Sequence, residues 1–320
     1  MGCAFLIEEN RIPISNKAQG EASDSSSFPR ASVTADDCLY PGEVAAMPPL
    51  AFTLALVAAV LHAFWNILLA RAQDPECATA VALLAAVIVF APVTALRFDA
   101  EWAVWPFIVV TSALQLLYFA LLATAYRKAE LSFVYPVARG VAPAIVLVAS
   151  VVALGHRTSP AQVVGVGLVG AGVLLVRGLR RPADPHALAF ALGIACVIAS
   201  YTLLDKRGIT HASPITYLEL SMIPAALGYA GATLALKGRV RVRAELGASA
   251  VLAGLLSFAA YALVLAALER ASAASVAAVR ETSVVMATAF AAFVLHERVS
   301  GSRFAGSVLV VCGIALLALR

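Results

Sequence analysis

The segment "YFALLATAYRKAELS" (residues 118–132) has a counterpart later in the chain, "YALVLAALERASAAS" (261–275). Both segments begin with Tyr, carry Arg at the tenth position and end with Ser. After a short gap the correspondence continues and places Arg139 on Arg280. The later matched pairs are Leu154 and Leu295, Arg157 and Arg298, Ser159 and Ser300, Gly165 and Gly306, and Gly172 and Gly313.

The correspondence also extends upstream, where "HAFWNILLAR" (62–71) aligns with "IASYTLLDKR" (198–207) and Trp65 falls on Tyr201. Each match is weak by itself, but their common order over two halves of the chain predicts an internal duplication. The matched glycines, seven residues apart in each half, predict seams where helices pack closely.

Composition indicates the solvent in which the duplicated units fold. The 320 residues are 62% hydrophobic and 13% charged, and the mean hydropathy is +0.90. The apolar residues form blocks of about twenty, the length that a helix needs to cross a hydrocarbon layer of about 30 Å. The sequence therefore predicts a polytopic membrane protein. A net charge of +4, spread over short connectors, argues against nucleic acid as a partner, and the five cysteines lack the spacing of a disulfide framework or metal site.

Residues 1–47 differ from the rest of the chain. They are polar, rich in Ser, Ala and Asp, and without apolar periodicity, so we predict a disordered tail. An alternative is that translation begins at Met47 and that the preceding residues are an upstream-start artefact.

Ten apolar segments follow the tail. They lie at about 50–70, 78–96, 103–125, 131–154, 160–177, 186–204, 212–236, 247–268, 273–295 and 302–319. Irregular backbone in contact with lipid would leave polar groups unpaired, so each segment is predicted to be a helix. The duplication divides them into two five-helix units, residues 48–178 and 185–320. A unit of five helices ends on the opposite side of the membrane from its start, which predicts an all-α membrane protein of ten transmembrane helices in two inverted five-helix repeats.

The chain resembles EamA-type members of the drug/metabolite transporter superfamily over about residues 50–319. The resemblance lies in "LHAFWN" (61–66), "AYRKAELSFVYPVARGVAP" (125–143) and the C-terminal part that begins "ALERASAASVAAVRETSVV" (267–285). It implies a multi-pass carrier of the cell inner membrane, usually an exporter of small metabolites such as amino acids. Because the superfamily also contains drug, sugar-nucleotide and triose-phosphate carriers, the resemblance does not predict a substrate.

Two arginines lie inside predicted membrane helices, Arg139 and Arg280. A charged side chain at the centre of such a helix costs about 2.5–3.5 kcal/mol on insertion scales, so its presence requires a reason. We predict that both line a cavity between the halves, where each binds an anionic substrate group or pairs with a carboxylate. Tyr135, one helical turn before Arg139, is predicted to share that face. The alternative is that both guanidinium groups reach the lipid headgroups along their aliphatic stems.

Polar and aromatic residues form similar stripes elsewhere. His62, Trp65 and Asn66 share one face of the first helix, and Tyr118 and Tyr261 lie at equivalent positions of the third and eighth helices. These stripes predict a hydrogen-bonding cavity wall with aromatic plates. Hydrogen bonding between helices is the alternative interpretation.

Two acids, Glu219 and Glu281, also fall within apolar segments and are assigned to the same cavity. Each is a candidate partner for an arginine or a candidate carrier of a coupling proton. Asp205, beside Lys206 and Arg207 at a predicted helix end, is expected to join an ion cluster at the membrane interface.

The sequence contains no Walker glycine loop, HExxH motif, nucleophile elbow or paired Cys motif. We therefore expect no enzyme activity, no cofactor and no metal, and a carrier driven by gradients, with protons as a candidate coupling ion. The predicted function is export of small polar or amphipathic metabolites, such as amino acids, related compounds or drugs, by alternating access. The alternatives are a carrier of phosphorylated or nucleotide-linked sugars and a non-transporting, lipid-handling membrane protein. A monomer is expected, with a dimer as the alternative.

The charge distribution and the family resemblance predict opposite orientations in the membrane. The odd-numbered connectors carry twelve Lys and Arg and the even-numbered connectors carry five. The positive-inside rule would place the odd connectors in the cytoplasm and both termini outside. The family resemblance implies the reverse, with both termini in the cytoplasm.

Overall fold

The computed structural model describes residues 47–128, 131–152, 155, 158–177, 185–283, 285–286 and 301–318. The helices in these ranges are α1 (Pro49–Ala70), α2 (Pro75–Leu96), α3 (Trp105–Lys128), α4 (Leu131–Val152), α5 (Pro160–Arg177), α6 (Pro185–Gly208), α7 (Pro214–Ala244), α8 (Ala248–Leu268), α9 (Ala273–Arg280) and α10 (Gly301–Ala318). A 3₁₀ turn, Trp102–Val104, precedes α3. The predicted disordered tail, apart from Met47, lies outside the described residues.

Proline marks the start of half of these helices, namely α1, α2, α5, α6 and α7. Proline suits the first helical position because its fixed φ is already helical and its missing N–H would have no partner there. At α2 the preceding residue adds a cap, since Asp74 Oδ1 accepts hydrogen bonds from the backbone N–H groups of Glu76 at 3.2 Å and Cys77 at 3.3 Å.

Six helices of the described part are long and apolar enough to cross a membrane: α1, α2, α6, α7, α8 and the segment Trp102–Leu122 that contains most of α3. Shorter apolar stretches occupy α4, α5 and α10. The prediction of an all-helical, multi-pass membrane protein is confirmed for the described residues. The number of ten crossings stays a prediction.

Two helices depart from the sequence prediction. The ninth segment, predicted at 273–295, is not one uninterrupted helix, because α9 ends at Arg280. Glu281 follows in a turn, and its backbone N–H donates to the Ala278 carbonyl at 3.0 Å. In α7 the axis is interrupted at Gly238, whose φ of 81° lies in the left-handed region that favours glycine. Pro136 and Pro143 lie within α4, which is continuous from Leu131 to Val152.

The duplication is visible where α5 packs on α10. A Cβ added to Gly172 would lie 2.6 Å from the carbonyl oxygen of Gly306, and one added to Gly313 would lie 2.6 Å from that of Gly165. The two helices therefore run antiparallel. The first glycine of each helix faces the second glycine of the other helix. The predicted packing seams are confirmed here.

The ends of α2 and α7 show the same relationship. Lys237, near the end of α7, donates to Asp74 Oδ1 at 2.6 Å before the start of α2. Ser213, before the start of α7, donates through its hydroxyl to Asp99 Oδ1 at 3.0 Å beyond the end of α2. We call these two contacts the Asp74 clamp and the Asp99 clamp. Because each joins the beginning of one helix to the end of the other, the corresponding helices of the two halves lie antiparallel.

Candidate functional site

A cavity lies between the two halves of the described chain. Its empty space amounts to about 1040 Å³, opening included, and helices from both halves line it. Most of the wall is apolar, with side chains such as Leu83, Phe119, Met222 and Phe258. Such a cavity, apolar with a few polar groups, is the usual form of a small-molecule site.

The structure brings five of the predicted site residues to the cavity wall: Trp65, Tyr118, Arg139, Tyr261 and Arg280. Glu281 contacts Arg139 from behind the wall. Two others do not line the cavity. Asn66 donates through its amide to the His62 carbonyl at 2.6 Å within α1, and Glu219 is buried in α7 with neither carboxyl oxygen hydrogen-bonded. The side chain of Tyr135 lies outside the described residues.

Arg139 is held by partners from two other helices. Its Nη1 lies 3.4 Å from Glu281 Oε1, and its Nη2 contacts His62 Nε2. Arg139 and Glu281 are both buried, so their opposite charges compensate each other in a region of low dielectric. His62 is fixed in turn by the Trp65 indole, which donates to its Nδ1 at 3.2 Å.

Arg280, the counterpart of Arg139, has a different environment. It is the last residue of α9 and only 5% exposed. Among the described residues it makes neither an ion pair nor a hydrogen bond, and its Nε is buried without a partner. Gln115, also on the cavity wall, has a buried Oε1 in the same condition. Among the described residues, the cavity thus presents a cation that makes no ion pair or hydrogen bond and a free acceptor.

Three tyrosines line one side of the cavity. The ring centroids of Tyr118 and Tyr201 are 6.4 Å apart, and those of Tyr201 and Tyr261 are 6.2 Å apart, both in edge-to-face orientation. Because Tyr118 and Tyr261 are counterparts in the two halves, Tyr201 lies between duplicated positions. The tyrosines provide an aromatic surface in the same cavity as the Arg280 guanidinium.

Sequence reasoning missed the role of Asp205, and the predicted interfacial ion cluster is wrong. Asp205 is fully buried and accepts hydrogen bonds from the hydroxyls of Thr111 at 3.0 Å, Tyr217 at 2.9 Å and Tyr261 at 2.5 Å. Its neighbour Lys206 turns away and donates to the carbonyls of Leu268 and Ala271 at the end of α8. The hydroxyl donors come from other helices, so no local sequence pattern could have indicated them.

No group of three or more His, Cys, Asp or Glu side chains in the described ranges is arranged to hold a metal ion. The polar groups among the lining side chains include guanidinium groups, an amide and hydroxyls.

Comparison with known proteins agrees with this architecture. The model of the EamA-like transporter family matches the chain twice, over residues 49–178 and 186–319. A solved structure described only as "Crystal structure of protein" superposes with a TM-score of 0.69 at 18% identity, covering 84% of this chain and 99% of its own. That identity shows a shared fold alone. No curated protein matches this chain. Because the family model covers most of the sequence in two copies, the chain belongs to the EamA-like transporter family of the drug/metabolite transporter superfamily and is a multi-pass membrane transporter.

Proposed function

We propose that this protein is a secondary transporter that exports small amphipathic metabolites, amino acids or related compounds, across the cell inner membrane by alternating access. The observation that carries the proposal is the buried Arg280 guanidinium, unpaired among the described residues, on the wall of a cavity between the two halves.

A buried cation without a partner is unfavourable, since no protein group compensates for the hydration that the charge has lost. An anionic group of a bound molecule would compensate for this lost hydration. A planar guanidinium suits a carboxylate because it donates two parallel hydrogen bonds. The free Oε1 of Gln115 offers an acceptor to a donor group on the same molecule. A carboxylate with a nearby amino group has this combination.

The wall argues for a modest charge and an apolar body. Arg139 is already compensated by Glu281, so one guanidinium is left for the substrate. Phosphorylated or nucleotide-linked sugars carry more charge and more hydroxyls than a wall of Leu, Phe and Tyr side chains would match. These features favour small amphipathic monoanions and zwitterions over the sugar-phosphate alternative.

The antiparallel relation of the halves supports alternating access. Two halves of opposite direction can exchange conformations, which converts an opening on one face into an opening on the other. The sequence lacks a nucleotide-binding motif, so gradients supply the energy. We place both termini in the cytoplasm and treat the monomer as the working unit.

Purified protein in liposomes tests the proposal. The panel is L-phenylalanine, L-leucine, L-glutamate and glucose 6-phosphate, each radiolabelled and loaded inside. We expect efflux of at least one amino acid and retention of the sugar phosphate. Arg280→Ala should weaken the apparent affinity by roughly tenfold to a hundredfold, the value of a lost hydrogen-bonded charge.

Arg207→Ala is the matched control, because Arg207 is an exposed cation at the end of α6. It should leave efflux unchanged. Failure of every panel member to move through folded native protein, or lipid modification without solute flux, would overturn the proposed transport function. Equal efflux by Arg280→Ala and native protein would remove Arg280 from the site.

A further inference from the structure

Asp205 is a buried carboxyl group near the end of α6 with three neutral donors. Thr111 on α3 and Tyr217 on α7 donate to Oδ1 at 3.0 and 2.9 Å, and Tyr261 on α8 donates to Oδ2 at 2.5 Å. The residue is 0% exposed. Three helices therefore position this one carboxyl group.

The charged groups around Asp205 do not pair with it. On its own helix Lys206 is engaged by two backbone carbonyls of the α8 end. From α4, which also packs on α6, Arg139 is engaged by Glu281 and His62. From α9, Arg280 is near enough for its charge to act on Asp205 but makes no ion pair with it. Of these three cations, Arg280 is the one that makes no ion pair or hydrogen bond among the described residues.

Tyr261 connects this carboxyl group to the cavity. Its ring lines the cavity wall while its hydroxyl lies against Asp205 Oδ2. We propose, resting on the transport function above, that Asp205 is a proton-binding site reached from the cavity through the Tyr261 hydroxyl, and that its proton binds together with the substrate anion at Arg280.

The proton step is balanced by the groups present. A hydronium ion in the cavity gives a proton to the Tyr261 hydroxyl oxygen as the hydroxyl's own proton passes to Asp205 Oδ2. The net products are one water molecule and one neutral carboxyl group, and Tyr261 is regenerated. A rotation of the tyrosine hydroxyl then restores the starting geometry for release.

The linkage follows from one cation serving two anions. An anion on Arg280 adds negative charge near Asp205 and favours the protonated carboxyl, as a like charge does for any acid. By reciprocity, a proton on Asp205 removes a negative charge near Arg280 and raises the affinity of Arg280 for the anion by the same factor. Anion and proton therefore cross together, so a monoanion is carried without net charge and its export is driven by the outward gradient of the metabolite itself.

Glu219 is the other buried acid considered for this role. Its two oxygens lack hydrogen bonds, but it is absent from the cavity wall. Asp205 has the connection that Glu219 lacks. The comparison makes Glu219→Gln the matched control for Asp205→Asn.

Infrared difference spectra between mildly acidic and mildly alkaline buffer test the site on the full protein without a ligand. The native protein should show the carbonyl stretch of a carboxyl group that gains its proton on acidification. Asp205→Asn should lose this band, since the amide keeps hydrogen-bonding capacity towards Tyr217 and Tyr261 but does not titrate. Glu219→Gln should keep it. Persistence of the band in folded Asp205→Asn protein, or its loss in Glu219→Gln, would overturn the assignment.

The coupling is tested in liposomes with L-phenylalanine as probe and a pH dye in the lumen. Uptake by the native protein should acidify the lumen, and uptake by Asp205→Asn should not. Phenylalanine uptake without acidification by native protein would overturn the coupling but leave the transport function standing. Absence of flux for every panel member defeats the transport function, and the infrared result still decides whether Asp205 binds a proton.

Discussion

Arg139 Nη1 lies 3.4 Å from Glu281 Oε1, and this buried ion pair joins α4 of the first half to the residue that follows α9 in the second half. The duplication places Arg139 and Arg280 at equivalent positions, yet Glu281 serves only one of them. The counterpart of Glu281 in the first half is Gly140, which has no side chain to offer Arg280. The two arginines therefore differ in their charge partners because the residue that follows them differs between the two halves.

Glu281→Ala should destabilise the protein because it leaves Arg139 buried with its charge uncompensated. Breaking a buried ion pair costs about 3–5 kcal/mol. Thermal unfolding in detergent measures the effect. Glu269→Ala is the control, since the Glu269–Arg270 pair is part-exposed and such pairs contribute about 0–1 kcal/mol. Equal stability of the two variants would contradict the structural role given to Glu281.

Gly172→Ala should separate α5 from α10. The new Cβ would lie 2.6 Å from the Gly306 carbonyl oxygen, a backbone atom that yields only if the helices move apart. We expect a loss of about 1–3 kcal/mol, as for other overpacked sites. Gly167→Ala on the same helix meets nothing within 4 Å and should be neutral or slightly stabilising. The stability of both variants is compared by unfolding in the same detergent. A Gly172→Ala variant as stable as the native protein would contradict the close packing of α5 on α10.

The Asp74 clamp predicts a pH dependence outside the membrane spans. Partial burial acts to raise the pKa of Asp74, but hydrogen bonds from Lys237 and from the start of α2 outweigh it and lower that pKa below its ordinary value of 3.8. A carboxyl whose pKa is lower in the folded state stabilises the fold above 3.8, and this contribution disappears as the pH falls through the folded pKa.

Stability measured against pH should therefore fall more steeply at the acid end for native protein than for Asp74→Asn, which lacks the titrating group. The two curves should run parallel above that window. Lys237→Met should reduce the acid dependence as well, because the principal partner of Asp74 is removed. Identical acid profiles for all three proteins would rule out the clamp as a source of pH sensitivity.

Gly238→Ala should weaken the end of α7, because its φ of 81° is unfavourable for any residue with a Cβ. The cost of a left-handed conformation is about 1–2 kcal/mol. Gly247→Ala is the control, since Gly247 has an extended backbone with φ of −156° and open space around it. Unfolding measurements that rank the two variants in the opposite order would contradict the kink.

Much of the fold was predictable because the sequence contains an internal duplication. Offsets between repeated residues gave the glycine seams, and hydropathy gave the membrane-crossing character. The break of α9 after Arg280 was not predicted, since no proline or glycine lies near that residue in the sequence.

The candidate site was predicted by residue type but not by pairing. Sequence reasoning placed Arg139, Tyr118 and Tyr261 at a cavity because polar groups in lipid need partners. It missed the environment of Asp205, whose neighbours Lys206 and Arg207 suggested an interface. The facing direction of a side chain depends on the rotation of its helix within the bundle, and a single sequence contains no measure of that rotation.

The Asp74 and Asp99 clamps are closed at the same time, although they hold the two opposite ends of α2. If these contacts formed and broke alternately during transport, one would be present at one end of α2 and the other would be absent at the opposite end. Contacts therefore tie α2 and α7 together at both ends, and we expect the alternating access proposed above to be carried by movement of the other helices.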